Sequence, residues 1–249
     1  MTYSTLKYQL IKIKQLLGIA DTRKVWKQSL GSFVLFVSAI GFVNAFRFGG
    51  ASLDYYFVRN SIELWQKEAN IQSVSLFDTA ESSVSRAQKL HFSHPLYTDM
   101  RGQVIEWGVV ANYRSSEYLE LAEFMYQKSI SMRPSWPVSW ASLAMVKWRK
   151  GEFDEELLEY LSTASRLGPM KPEVHRVYSE VGLHLYQTNN LMFIQIRDEV
   201  INRLILGLRD TASRKSVLDA IARTNSKRTA CIWVNQKDAF VYNKVLKCP

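Results

Sequence analysis

The stretch PVSWASLAMVKWRKGEFDEELLEYLSTASRLGP, residues 137–169, decides how the chain is read. It opens on Pro137, whose fixed φ suits a first helical turn and whose missing N–H costs nothing there. Trp140 and Ala144 follow four residues apart, on one helical face with Leu143 beside them. Gly151 interrupts the pattern, as glycine does where a helix closes in a left-handed residue. Leu157, Leu161, Ala164 and Leu167 then recur at steps of four, three and three, a second amphipathic helix that Pro169 ends. The unit is a helical hairpin. A single hairpin leaves an apolar face bare, so it must stack on others.

The same signature recurs on both sides. An aromatic with a small residue four positions on appears as Trp65 with Ala69, Trp107 with Ala111, Trp140 with Ala144, and Tyr178 with Gly182, at intervals of 42, 33 and 38. The second-helix pattern returns as Ala80, Val84, Ala87, Leu90 and as Ala122, Tyr126, Ser129, Met132, the latter followed by Pro134. On these residues the chain resembles a tetratricopeptide array. Its best unit carries Trp140, Leu143, Ala144, Gly151, Tyr160, Ala164 and Pro169, and departs from the pattern where Leu157 replaces a small residue. A looser pair spans 53–92, and a fourth runs from Pro172 to about Leu206 with a turn at Asn189-Asn190. The resemblance implies that Trp140 fills the gap between stacked hairpins and that the array offers a concave surface to partners. A non-repeating helical bundle would use the same residues as core and lack that surface. Both readings predict an all-α domain. Composition agrees, since 47% apolar residues exclude disorder and Gly 11 with Pro 6 is too little for a turn-rich sandwich or barrel.

Ahead of the repeats lies a different segment. Leu30 to Phe46, LGSFVLFVSAIGFVNAF, holds no charge over 17 residues, with Asn44 its one strongly polar member. At ~1.5 Å per residue it spans roughly 25 Å, a little under a ~30 Å hydrocarbon core. Trp26 and Lys27 on one side, with Phe48, Tyr55 and Tyr56 on the other, are placed to extend it into the interfaces. Residues 1–29 carry six lysines and arginines against Asp21 alone, so a basic cytoplasmic segment, a transmembrane helix at 30–47 and an outer domain are predicted. A buried core helix and a cleaved signal peptide, with small residues at Gly49-Gly50-Ala51, are the alternatives. Tyr3, Leu6, Leu10, Ile13 and Leu17 predict an amphipathic helix before the span. Because the basic block adjoins the apolar run and not a folded face, nucleic-acid binding is not expected.

The search for chemistry is negative. No phosphate-cradling glycine loop, nucleophile elbow or His-Glu-x-x-His helix is present, so no enzyme, metal or cofactor is predicted. His91 and His94 lack a Cys, Asp or Glu to complete a zinc site, Glu180 with His184 reads as a helix surface pair, and Asp154, Glu155 and Glu156 read as a solvated helix start. The tail, residues 207–249, is predicted to cap the array with one short helix at Thr211–Ala222, a basic stretch of Arg223, Lys227 and Arg228, and an aromatic end. That stretch reads first as a solvated face, with acidic glycan or lipid headgroup as its other reading. Cys231 and Cys248, an even pair without CxxC spacing, predict a disulfide if the domain lies in an oxidising compartment, with two buried thiols as the alternative.

The whole layout resembles the VpsP-type proteins of bacterial exopolysaccharide gene clusters: a basic tail, one signal anchor, a degenerate repeat domain over 48–206 and an aromatic tail with a terminal Cys. The resemblance implies an inner-membrane protein with a periplasmic domain that serves polysaccharide synthesis or export by binding other proteins, or copies of itself. A scaffold for pilus, secretion or cytochrome assembly is the rival within the same architecture, and a glycan-acting enzyme the rival from another class.

Overall fold

A computed structural model describes residues 7–9, 12–13 and 22–249 of the chain. They form helices and turns, with no strand among them. Contacts divide the chain into two units, Met1–Gly50 and Ala51–Pro249, three residues beyond the boundary predicted after residue 47. Of the predicted amphipathic helix, Tyr3, Leu6, Leu10 and Leu17 lie outside the described residues, and Ile13 is helical and exposed.

The first unit contains the start of helix α1, Thr22–Glu68, which is much longer than the predicted span. It is the one helix among the described residues long and apolar enough to cross a membrane. None of its most apolar window is buried, so the run does not act as a core helix. Leu35, Phe42 and Phe46 are 72%, 74% and 77% exposed, an arrangement that costs free energy in water and none in hydrocarbon. Asn44 turns its Nδ2 back onto the Ile40 carbonyl, 2.9 Å away, so that its donor is satisfied within the helix.

The second unit begins where the burial of α1 becomes one-sided. Ala51, Val58, Ile62 and Trp65 are buried on a helical stripe, while Leu53, Tyr56 and Leu64 remain exposed on the other side. Then follow α2 (Val74–Leu90), α3 (Pro95–Val110), α4 (Tyr118–Met132), α5 (Pro137–Lys150), α6 (Glu155–Leu167), α7 (Pro172–Gln187), α8 (Met192–Arg209), α9 (Arg214–Arg223), α10 (Lys227–Val234) and a π-helical turn, Val241–Val245. The helices pack as successive hairpins, α3 on α4, α5 on α6 and α7 on α8, and the first helices also touch from hairpin to hairpin in the order α3, α5, α7, α9. This is the arrangement of a helical-hairpin repeat.

Two recurring loops build it. Within hairpins, Asn112, Gly151, Asn189 and Asn225 adopt φ of 59°, 75°, 52° and 48°, the left-handed region that glycine and asparagine tolerate best. In each case the next residue donates its N–H to the carbonyl five positions back, as Glu152 does to Lys147 at 2.9 Å and Asn190 to Leu185 at 2.9 Å. Between hairpins the same five-residue loop occurs three times, as His91–Pro95, Arg133–Pro137 and Gly168–Pro172. Its first N–H bonds to Ala87, Ser129 or Ala164, and its fourth N–H folds back to the first carbonyl. The prolines that start helices are therefore Pro95, Pro137 and Pro172. Pro134 and Pro169, expected to mark the junction, sit one residue into this loop and are exposed.

The second helices keep the predicted register, with Ala80, Ala122 and Leu157 each 0% exposed at the same distance before the loop. The first helices do not. Trp107 lies in the last turn of α3 with Ala111 beyond its end, and Ala69 likewise follows the end of α1, whereas Ala144 and Gly182 are inside α5 and α7. One sequence signature thus covers two situations, a helix end and a close helix approach. The tail departs as well: the short helix is Arg214–Arg223 rather than Thr211–Ala222, and the basic stretch starts a further helix, α10. Trp233, Val234, Val241 and Leu246 join the main core and cover the last hairpin.

At Gly182 the approach is close enough that an added Cβ would collide with both γ-methyls of Val200 on α8. Gly182→Ala is expected to cost about 1–3 kcal/mol through overpacking, although alanine favours the helix. Adding Val200→Ala should recover most of that loss in a denaturation double-mutant cycle, and strict additivity would reject the close approach.

Candidate binding surface

The layer of first helices is the tighter side of the array. Between the second helices α6 and α8 an open groove of about 500 Å³ remains, lined by Glu155, Leu158, Glu159, Ser162, Gln195 and Ile196. Successive hairpins thus meet through α3, α5, α7 and α9. Polar and aromatic side chains tie that layer together. Arg149 on α5 donates to Glu106 on α3 at 2.7 Å, Trp148 meets His184 on α7 edge-on at 5.6 Å, and Arg223 on α9 grips Glu180 on α7 at 2.7 Å. The end of α1 reaches the same layer, with Arg176 Nη1 donating to Gln66 Oε1 at 3.3 Å and Lys215 Nζ to the Lys67 carbonyl at 2.7 Å. The end of α1 thus covers part of the layer of first helices.

Three charged groups are buried within the hairpins. Arg203 on α8, 3% exposed, donates to Glu199 Oε1 at 2.6 Å, to Ser165 Oγ at 2.6 Å, and to the carbonyls of Ser165, Gly168 and Pro169. It satisfies the end of α6, where orphan carbonyls concentrate negative potential. Lys147, also 3% exposed, sits among Glu152, Asp154 and Glu156. Burial alone would lower its pKa, but the hydrogen bonds to Asp154 and Glu156 outweigh that and hold it above the ordinary lysine value. Asp154 also caps α6 by accepting from Leu157 N–H at 3.0 Å. The acidic run is therefore an ion-paired helix start instead of a simply solvated one. Asp99 is 1% exposed, and burial raises its pKa against the opposing hydrogen bonds from Ser139 and Gln103.

These three groups were missed in the sequence reading. The available signal was a charge on an apolar stripe: Lys147 continues Trp140, Leu143 and Ala144, and Arg203 lies between Val200 and Gly207. Of the residues singled out from sequence, Ala122, Tyr126, Leu143, Ala144, Tyr160 and Ala164 are core, and Trp107 and Ala111 are half-buried. Trp140 is half-buried too. It packs on Tyr160 of its own hairpin, ring centroids 5.9 Å apart, and its Nε1–H donates at 2.8 Å to the Pro134 carbonyl in the loop from the preceding hairpin.

His91 and His94 pack against each other at 5.0 Å, and His94 stacks on Tyr97 at 4.5 Å. No group of three or more His, Cys, Asp or Glu among the described residues is placed to hold a metal ion. Cys231 and Cys248 are joined as a disulfide, with Cα atoms 5.8 Å apart across a separation of 17 residues. In the chain-entropy account a loop of this length contributes about 3 kcal/mol. The chain matches no protein-family model and no curated protein.

Proposed function

We propose that the protein is a membrane-anchored adaptor of the bacterial cell envelope, holding proteins of a surface-polysaccharide assembly or export system through a tetratricopeptide-like periplasmic domain. The observation that carries this reading is the pairing, in one chain, of an unburied apolar helical stretch with a stacked hairpin array. Hairpin arrays present extended surfaces, and an anchor raises their local concentration beside membrane-embedded partners without any new contact. The basic residues before the span support a cytoplasmic N-terminus, and the disulfide supports an oxidising compartment for the rest. No catalytic role is assigned to any residue.

Complementation tests the reading. In a strain lacking the gene, exported polysaccharide should fall, and the full-length protein should restore it. Residues 52–249 exported in soluble form should restore little at native expression and more when overproduced. Normal export without the gene would remove the polysaccharide assignment. Loss of export from a stable, correctly localised protein bearing one His, Asp or Glu exchange at a solvent-exposed position would point to catalysis instead.

A further inference from the structure

Charge is divided unevenly along the second unit. Residues 51–208 carry 16 lysines and arginines against 19 acids, whereas residues 209–249 carry nine against three. Of those three acids, Asp238 is buried and ion-paired with Arg209, Asp210 is engaged by Ser213 and Ala212, and Asp219 lies back on α9. Arg214, Lys215 and Arg223 are likewise occupied, by backbone carbonyls or Glu180. Lys227, Arg228, Lys237, Lys244 and Lys247 are exposed and have neither ion pair nor side-chain hydrogen bond.

Four of these free cations lie within four residues of a disulfide cysteine. Cys231 stands three and four residues after Arg228 and Lys227, on their side of α10. Cys248, to which it is bonded, follows Lys244 by four residues and Lys247 by one. Two apolar side chains stand out among them: Ile232, 66% exposed and four residues after Arg228, and Phe240, 50% exposed and four before Lys244.

From this we infer that the terminal cap is a docking surface for a bilayer of anionic phospholipid, its cations at the phosphates and Ile232 and Phe240 in the interface. A soluble polyanion would neutralise the charges but leave both apolar side chains in water. An anionic lipid surface takes both, because amphipathic basic surfaces gain from apolar insertion and from headgroup charge together. The inference concerns lipid contact and is independent of any role in polysaccharide assembly.

The full-length chain in nanodiscs tests it. Lysines are acylated with a membrane-impermeant reagent and read by mass spectrometry, with exposed Lys128 on α4 as reference. Relative to discs of phosphatidylcholine alone, discs containing phosphatidylglycerol should lower labelling of Lys227, Lys244 and Lys247 by about fivefold or more. Salt near ~1 M should abolish the difference, since screening then acts within about 3 Å. Arg228→Glu with Lys247→Glu should also remove it, and Ile232→Ser with Phe240→Ser should weaken it, in variants whose circular dichroism matches the parent. Equal labelling in both discs, or protection that survives charge reversal, would overturn the inference. Protection by an added acidic polysaccharide but not by phosphatidylglycerol would overturn it too, in favour of the polymer. A chain that does not enter discs at all would count against the anchor, and vesicles of the two compositions would then read the cap separately.

Discussion

Arg203→Leu is expected to remove about 3–5 kcal/mol of stability, the range found when one partner of a buried charge network is deleted. The guanidinium holds five acceptors at the junction of two hairpins, and leucine would leave the Ser165 carbonyl near the end of α6 without its donor and Glu199 without its cation. For a domain of this size the melting temperature should fall by roughly 10 °C. Arg203→Lys should recover only a small part, because an ammonium cannot reproduce the planar fork. Thermal melts of the detergent-solubilised protein decide the matter. A leucine variant melting with the parent would mean that apolar contacts alone hold the two hairpins together.

The second large effect is expected at Trp65. Its ring is 0% exposed and packs against Phe77 at 6.4 Å and Trp107 at 6.1 Å, so Trp65→Ala should cost about 3–5 kcal/mol by the large-to-small rule. Trp140→Ala should cost less, since that ring is only partly buried. Trp65→Phe offers an internal check. The Trp65 Nε1–H is buried without a partner, so its removal should offset much of the lost ring area. Urea titrations of the three variants test the order. Equal losses at Trp65 and Trp140 would contradict the two burial states.

Much of this architecture could be read from local pattern. The stripes Ala80 to Leu90, Ala122 to Met132 and Leu157 to Leu167 recur at helical steps, and a stripe of that kind must be covered wherever it lies. Gly151 was legible as a left-handed helix end because glycine pays no steric penalty there. Asn112 and Asn225 serve the same turn but were not singled out, since asparagine suits many other turns as well. The register of the first helices was misread at Trp65 and Trp107 because an aromatic followed by a small residue says nothing about how far the helix continues.

The sequence by itself determined that the chain is helical, that one segment is apolar enough to span a membrane and that the remainder forms stacked hairpins. These follow from interactions within about four residues along the chain, where periodicity and turn chemistry act. Only the tertiary structure decided that the end of α1 lies against the layer of first helices, through bonds such as Lys215 to Lys67 across 148 residues. It alone decided, too, that Arg203 and Lys147 are buried with their partners and not displayed to a ligand. The physical reason is that an isolated charge on an apolar stripe costs heavily when buried, and whether it is compensated depends on groups that arrive from other helices.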